Sequence, residues 1–409
     1  MSGEKMRGRV VVVGGGASGT AAAFAAREAG ADVAVALGRP GATSLSSGAI
    51  DGDAADREAR PEIGAFAAAL GIWELAEGEP CRVLTVAGIA RTALGRDASL
   101  LDASAVSAGV VAVARAPRAG WDADLLARAW THEPWAAAKG IRFEPADVDV
   151  LGADDERAIP DVDLAERHDD PQRAAWLVDR LKHAGDVQRA AAIVLGPWLG
   201  LRRPLGRELC AALGKPVGEP LSLPGGPAGL RFERARDDLF ARRHIATIDD
   251  ELTSIEIAEQ RVLLRFSSGA EREAETVVLA VGGVSSGAMG WRGLAGRGWL
   301  GDAAPLGTGF SLSFAAPAAL ALNDAPLGLS GSPEGALFDA YAWGGGVATA
   351  NLERVGIWTT PDGRARTAAG EAIASIFCAG DAVSGAPRTM LQAVRSGLAA
   401  GRAAARAAS

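Results

Sequence analysis

An α/β fold built around a parallel sheet is predicted by three widely spaced stretches: RVVVVGGGASG from residue 9, ETVVLAVGG at 275–283 and SIFCAGDA at 375–382. Each is a short apolar run ending in glycine, the pattern of a strand covered on both faces and followed by a tight turn. In the first stretch, Gly14, Gly16 and Gly19 have the G-x-G-x-x-G spacing. Gly14 permits the turn, Gly16 lets a pyrophosphate approach the backbone, and Gly19 lets helix and strand pack closely. The helix that follows offers N–H groups and a partial positive charge to phosphate.

The bulk properties fit a large soluble protein. The chain has 409 residues, 48% of them hydrophobic and 22% charged, enough for two domains and a sizeable core. A net charge of −8 argues against general nucleic-acid binding, which needs a basic face. Cys81, Cys210 and Cys378 have no metal-ligand spacing and are odd in number, so reduced thiols and no metal site are expected. The start, MSGEKMRGRV, lacks the apolar core of a secretory signal, and the apolar runs near 190–201 and 310–322 are interrupted by proline and too short to span a bilayer. A cytoplasmic protein is expected, peripheral at a membrane only through a partner.

In chain order, strands are expected at Val10–Val13 and Asp32–Leu37 with an alanine-rich helix between them. An acidic residue is usual beyond the second strand, where it grips the ribose of a bound dinucleotide. Leu37, Gly38 and Arg39 stand there instead. GATSLSSGAIDG, residues 41–52, reads as a polar loop in which Ser46, Ser47 and Gly48 offer hydroxyls and bare backbone to a ligand. Residues 63–78 read as helix, and 82–94 as two short strands. A tryptophan-rich helix is expected within 120–140, a strand at Ala146–Leu151 inside an acidic, solvated loop from Glu144 to Asp170, and a helix from Pro171 to Ala184. A strand near Ala190, a helix around Cys210 and a Pro/Gly-rich connection lead to an amphipathic helix at Arg231–Arg243. Short alternating strands from Ile245 form a meander before the buried strand Thr276–Val281. Residues 287–306 read as loop, and 307–322 carry no clear period. Hairpin strands are expected around Pro361, Asp362 and Gly363, then a strand Ile376–Cys378 and a long final helix from near Met390.

The phosphate turn, the strand ending in LAVGG and the strand ending in AGDA before a final helix together resemble the flavin-binding domain of the glutathione-reductase and fumarate-reductase superfamily. The resemblance narrows to the B subunit of anaerobic glycerol-3-phosphate dehydrogenase. LGRPGATSLSSGAIDG, FEPADVDVLGADDERAIPDVDLAERHDDP, LPGGPAGLRFERARDDLF, ETVVLAVGGVSSG, NLERVGIWTTPDG and IFCAGDAVSGAP carry it over nearly the whole chain. In that family the ribose-binding acid after the second strand is also missing, so its absence here is a family mark. The family's C-terminal segment carries a glycine run where this chain has RTMLQAV.

The resemblance implies a Rossmann-like flavin-binding domain, a parallel sheet with a β-meander, over 1–80, 205–290 and 345–409. An inserted α+β cap or substrate domain would occupy 81–204 and 291–344. It implies FAD, with FMN as the alternative, held by Gly14, Gly15, Gly16, Ala17, Ser18, Gly19, Arg39, Ser46, Ser47, Gly48, Leu252, Ala280, Gly282, Gly283, Gly380, Asp381 and Gln392. Asp381 would accept hydrogen bonds from ribityl or ribose hydroxyls, and the last helix would point its N-terminus at the flavin ring. The implied activity is oxidation of glycerol 3-phosphate to dihydroxyacetone phosphate with electrons passed to quinone. Its implied partners are a catalytic flavin subunit and an iron–sulfur subunit that anchors the assembly to the membrane.

Chemistry beyond the flavin itself needs an acid or base near the ring. His132, His168, His183 and His244 fall in surface or helical segments outside the flavin motifs, and Cys378 falls in a buried strand. Arg388, just before the last helix, is the candidate catalytic residue, placed to polarise flavin or substrate. Two other readings stay open: an electron-relay or structural subunit without its own substrate site, and a stand-alone enzyme of the fumarate-reductase type.

Overall fold

The computed structural model describes residues 9–53, 56, 59–258, 261–283, 286–291, 310–316, 322–323, 356–367 and 369–409. These divide into two compact units. The first comprises residues up to Thr43, Asp53–Phe66 and Leu239 onward; the second comprises Ser44–Gly52 and Ala67–Asp238.

The first unit is organised by a six-stranded sheet. Its order is Ala246–Ile248, Asp32–Ala36, Arg9–Val13, Thr276–Leu279, Ala372–Cys378 and Arg364–Arg366. The first five strands run parallel and the last pairs antiparallel. Val10, Val12, Val33, Val35, Val278 and Phe377 pack on one face beneath the opening helix Ala17–Glu28 and the closing helix Met390–Ala407. Val11, Val13, Val277, Leu279 and Ile376 share the other face with the antiparallel meander Leu252–Ala258, Arg261–Phe266 and Glu271–Ala274. With both faces covered, the strands must be continuously apolar, which is why they read as unbroken runs.

The second unit contains a four-stranded parallel sheet, in the order Val217–Gly218, Ala192–Val194, Gly109–Ala114 and Ile141–Ala146. Trp130, Phe143, Leu164, Leu177 and Trp198 fill its core. Residues 67–80 and 205–238, assigned from sequence to the flavin domain, belong to this unit; Leu205, Leu209 and Val217 are buried in its core. Of the segment 291–344, residues 292–309, 317–321 and 324–344 lie outside the described residues, as do residues 345–355 before the hairpin.

Several local readings are corrected. The helix read over 63–78 is Arg60–Leu70, stopped by Gly71 at φ +85°, and Trp73–Leu75 is a strand. The tryptophan-rich helix is two, Ala123–Thr131 and Pro134–Lys139, because Pro134 at the first turn starts a new one. The strand placed at Ala146–Leu151 is Ile141–Ala146. The acidic segment after it contains a helix, Asp161–His168, with Asp161 and Asp163 in its first turn. Glu156, expected at a solvated face, is buried and pairs with Arg173 at 2.6 Å.

Candidate flavin site

Three adjacent parallel strands end side by side, and each is followed by residues singled out from the sequence. Gly14 follows Arg9–Val13, Ala280 follows Thr276–Leu279, and Gly380 and Asp381 lie just beyond Ala372–Cys378. Ala280 N–H donates to the Val13 carbonyl at 2.9 Å, and Ala379 N–H to Leu279 at 3.0 Å. Ligands in open parallel sheets bind outside such carboxyl ends.

The glycine turn is a cradle no side chain could share. Gly14 has φ +109°, and a Cβ there would lie 2.3 Å from the Ala280 carbonyl oxygen. A Cβ on Gly19 would lie 1.8 Å from the Gly14 oxygen. Gly16 caps the opening helix with no side-chain cap bond, and the first turn of that helix holds no acidic residue. The Ala17 N–H donates to Thr43 Oγ1 at 3.0 Å, and Thr20 Oγ1 donates to the Gly15 carbonyl. The helix end is therefore electropositive and lined by bare backbone, which fits a pyrophosphate.

On the other side, Gly282 takes φ +81° and Gly283 lies against Asp381, where an added Cβ would be 3.0 Å from the Asp381 carbonyl. Gly380, at φ +65°, donates its N–H to the Ser396 hydroxyl oxygen at 2.9 Å and leaves room for Ser18, which is buried. Burial pushes the Asp381 carboxyl up from its ordinary range, and the nearby Arg388 guanidinium, 3.7 Å away, pulls it back. Arg388 also donates to the Asp381 carbonyl. Thr389 caps the closing helix by accepting from Gln392 N–H, and the Gln392 side-chain oxygen accepts from Arg395 Nε at 3.0 Å. A carboxylate beside two glycine-rich strand ends suits the hydroxyls and backbone-hugging path of a flavin nucleotide.

Of the residues expected in the site, Gly14 through Gly19, Ala280, Gly282, Gly283, Gly380, Asp381, Arg388 and Gln392 cluster at these strand and helix ends in the first unit. Arg39 and Leu252 also belong to that unit; Arg39 pairs with Glu251, and Leu252 is buried at the start of the meander. Ser46, Ser47 and Gly48 belong to the second unit. There Gly48, at φ +101°, accepts from Asp97 N–H at 2.8 Å, and Ser222 N–H reaches the Ser47 carbonyl. Asp97 is held in turn by Arg231 Nε at 2.9 Å, and Arg231 also pairs with Glu219; all three are buried.

The sequence did not single out Thr43, Glu251, Asp56 or Arg395, whose contacts the structure shows. Thr43 lay inside the loop already flagged as ligand-facing. The other three gave no signal, because each owes its position to a strand or helix distant in the chain. Asp56 is buried beside Arg395 at 3.2 Å, and burial raises its carboxyl.

His168, read as a surface or helical residue, is on a helix but fully buried, with Nδ1 3.0 Å from the Trp198 carbonyl. Burial, reinforced by the Arg173 charge, pushes it down to about 4. His132, His168 and His183 lie in the second unit and His244 follows the helix Pro227–Arg243. Cys378 is buried, and burial raises its thiol. Among the described residues, no group of three or more His, Cys, Asp or Glu side chains is arranged to hold a metal, and no helix is long and apolar enough to cross a membrane.

A family model described as FAD binding domain matches residues 9–62, which hold the glycine turn, the opening helix and the second strand. Comparison with curated proteins gives no match. Solved structures that resemble the chain include 3-ketosteroid delta1-dehydrogenase from Sterolibacterium denitrificans, at 12% identity over 98% of this chain and 100% of that one, with TM-score 0.40. The open conformation of a flavocytochrome c3 fumarate reductase aligns at 12% identity over 100% of this chain and 79% of its own, with TM-score 0.39. The Diels-Alderase PyrE3 aligns at 12% identity over 95% of this chain with TM-score 0.31, and the chain spans 63% of its length. The observed sheet and the domain match together give a Rossmann-like flavin-binding fold with a further unit, and the cofactor that the match indicates is FAD.

Proposed function

We propose that the chain is a flavin-dependent oxidoreductase subunit of the anaerobic glycerol-3-phosphate dehydrogenase type, working with a catalytic flavin subunit and an iron–sulfur membrane-anchoring subunit. The observation that carries the flavin part is the meeting of Gly14, Gly283 and Asp381 at the ends of three adjacent parallel strands. The substrate type rests on the resemblance, above all on LGRPGATSLSSGAIDG.

FAD, when bound, supplies the electron-transfer chemistry. The chain's own residues bind and orient it. The glycine turn and the opening helix would receive the pyrophosphate, Asp381 would accept from hydroxyls, and the Arg388 guanidinium opposes the upward push of burial on that carboxyl. The closing helix, with no acid in its first turn, keeps a positive end beside this cluster.

A second reading, an electron relay without its own substrate site, is favoured by one observation. Among the described residues, no histidine lies among those that cluster at the strand ends, where a dehydrogenase would hold its base. Adding glycerol 3-phosphate to the flavin-loaded chain, alone and then with its partner subunits, separates the two. Bleaching of the flavin bands in the isolated chain supports a substrate site here. Bleaching only in the assembly supports the relay, and bleaching in neither overturns the glycerol 3-phosphate assignment.

A further inference from the structure

Beside the end of the second strand, which no carboxylate follows, lies the turn after Ala246–Ile248, which carries Asp250 and Glu251. Leu37, where an acid is usual, packs against the core formed by Val33, Val35 and Phe240. Its N–H donates to the Ile248 carbonyl at 2.9 Å, which ties the end of Asp32–Ala36 to the end of Ala246–Ile248. Gly38 then lies directly on Glu251: a Cβ at 38 would be 2.6 Å from the Glu251 Cα and 2.6 Å from the Asp250 carbonyl oxygen. Only a glycine lets the two segments touch. Arg39, the next residue, pairs with Glu251 through Oε1.

Two acids stand at this corner, and their hydrogen bonds distinguish them. Asp250 is engaged by the hydroxyls of Ser267, at 2.6 Å, and Ser268, both from the turn after Arg261–Phe266, and by the N–H of Glu251. Those bonds hold its carboxyl below the ordinary range. Glu251 meets the Arg39 guanidinium through Oε1, and its side chain is 37% exposed. A partly exposed carboxylate positioned by arginine is suited to a vicinal diol, which offers two O–H donors.

We propose that Glu251 is the ribose-binding carboxylate of this site, accepting hydrogen bonds from the adenosine ribose of FAD, with Arg39 as the residue that positions it. The inference rests on FAD being the cofactor. It explains why the second strand can end without an acid: the function has moved to the turn after the next strand of the sheet, and Gly38 is the opening that admits it.

The test is flavin binding to the full-length chain stripped of cofactor, followed by fluorescence quenching with FAD and, separately, with FMN, which lacks the adenosine. Glu251→Gln is expected to weaken FAD by about tenfold, the loss of a charge-assisted bond, with FMN affinity and the thermal midpoint of the flavin-free chain unchanged. Arg39→Met is expected to give a smaller loss of the same kind. Unchanged FAD affinity in Glu251→Gln, or an equal loss of FMN and FAD, would overturn the inference. A wild-type chain that takes up no FAD would overturn the cofactor assignment and the inference with it.

Discussion

Gly401 of the closing helix lies on the backbone of Ala22 in the opening helix: a methyl group at 401 would sit 2.1 Å from the Ala22 carbonyl oxygen. One turn earlier, Gly397 meets the Ser18 carbonyl in the same way, at 2.2 Å. The two helices therefore cross backbone to backbone, and Ser18 and Gly380 of the flavin site lie on that crossing. Gly401→Ala should force the helices apart and lower the stability of the first unit by about 1–3 kcal/mol, the usual range for overpacking. Chemical denaturation followed by circular dichroism measures the loss, and a variant as stable as wild type would refute the close crossing.

Acidification should weaken FAD. The Asp381 carboxyl is raised by burial and restrained by Arg388. A raised carboxyl is protonated as pH falls through its folded value, and the protonated form has less to offer a hydroxyl donor. FAD affinity thus declines as pH falls through that value. Arg388→Ala removes the restraint, so its decline should begin at higher pH than in wild type. Dissociation constants measured across pH for both proteins check this, and superimposable profiles would show that Arg388 does not tune Asp381.

His168 makes the second unit sensitive to acid. Its folded value near 4 lies below the ordinary 6.5, so between those values the unfolded chain binds the proton and the folded chain does not. Stability is complete above pH 6.5 and is lost as pH falls toward 4, by up to about 3 kcal/mol. Because Nδ1 donates to the Trp198 carbonyl, His168→Gln should keep a donor there while flattening this part of the pH dependence. Urea midpoints at several pH values report it.

Arg231 should be the costliest polar side chain to truncate. Its removal leaves Asp97 and Glu219 buried without a counter-charge, and burial already pushes Glu219 up to about 7. Arg231→Ala should cost roughly 3–5 kcal/mol, whereas Arg231→Met, which fills the space, should fold better when it is combined with Asp97→Asn and Glu219→Gln. A thermal midpoint for Arg231→Ala equal to that of wild type would contradict the buried network.

The flavin half of this fold is legible because parallel strands covered on both faces must be apolar end to end, and because glycines mark the places where backbone meets backbone. Val10–Val13, Thr276–Leu279 and Ile376–Cys378 are found by that rule, and Asp381 is singled out by the resemblance to flavin-binding domains. The second unit is less legible. Its helices begin at Pro134 and Asp161 inside segments whose charge and short length mask their period. The Arg39–Glu251 and Asp56–Arg395 pairs leave no trace in the sequence, since they join residues more than two hundred positions apart.

The central claim is that the glycine turn at Gly14–Gly19 and the carboxylate of Asp381 hold FAD. Denaturing the purified full-length protein and identifying what it releases, by chromatography and mass, tests this most directly. The account predicts FAD in amounts near one per chain, and release of FMN in its place, or of no flavin, would contradict it.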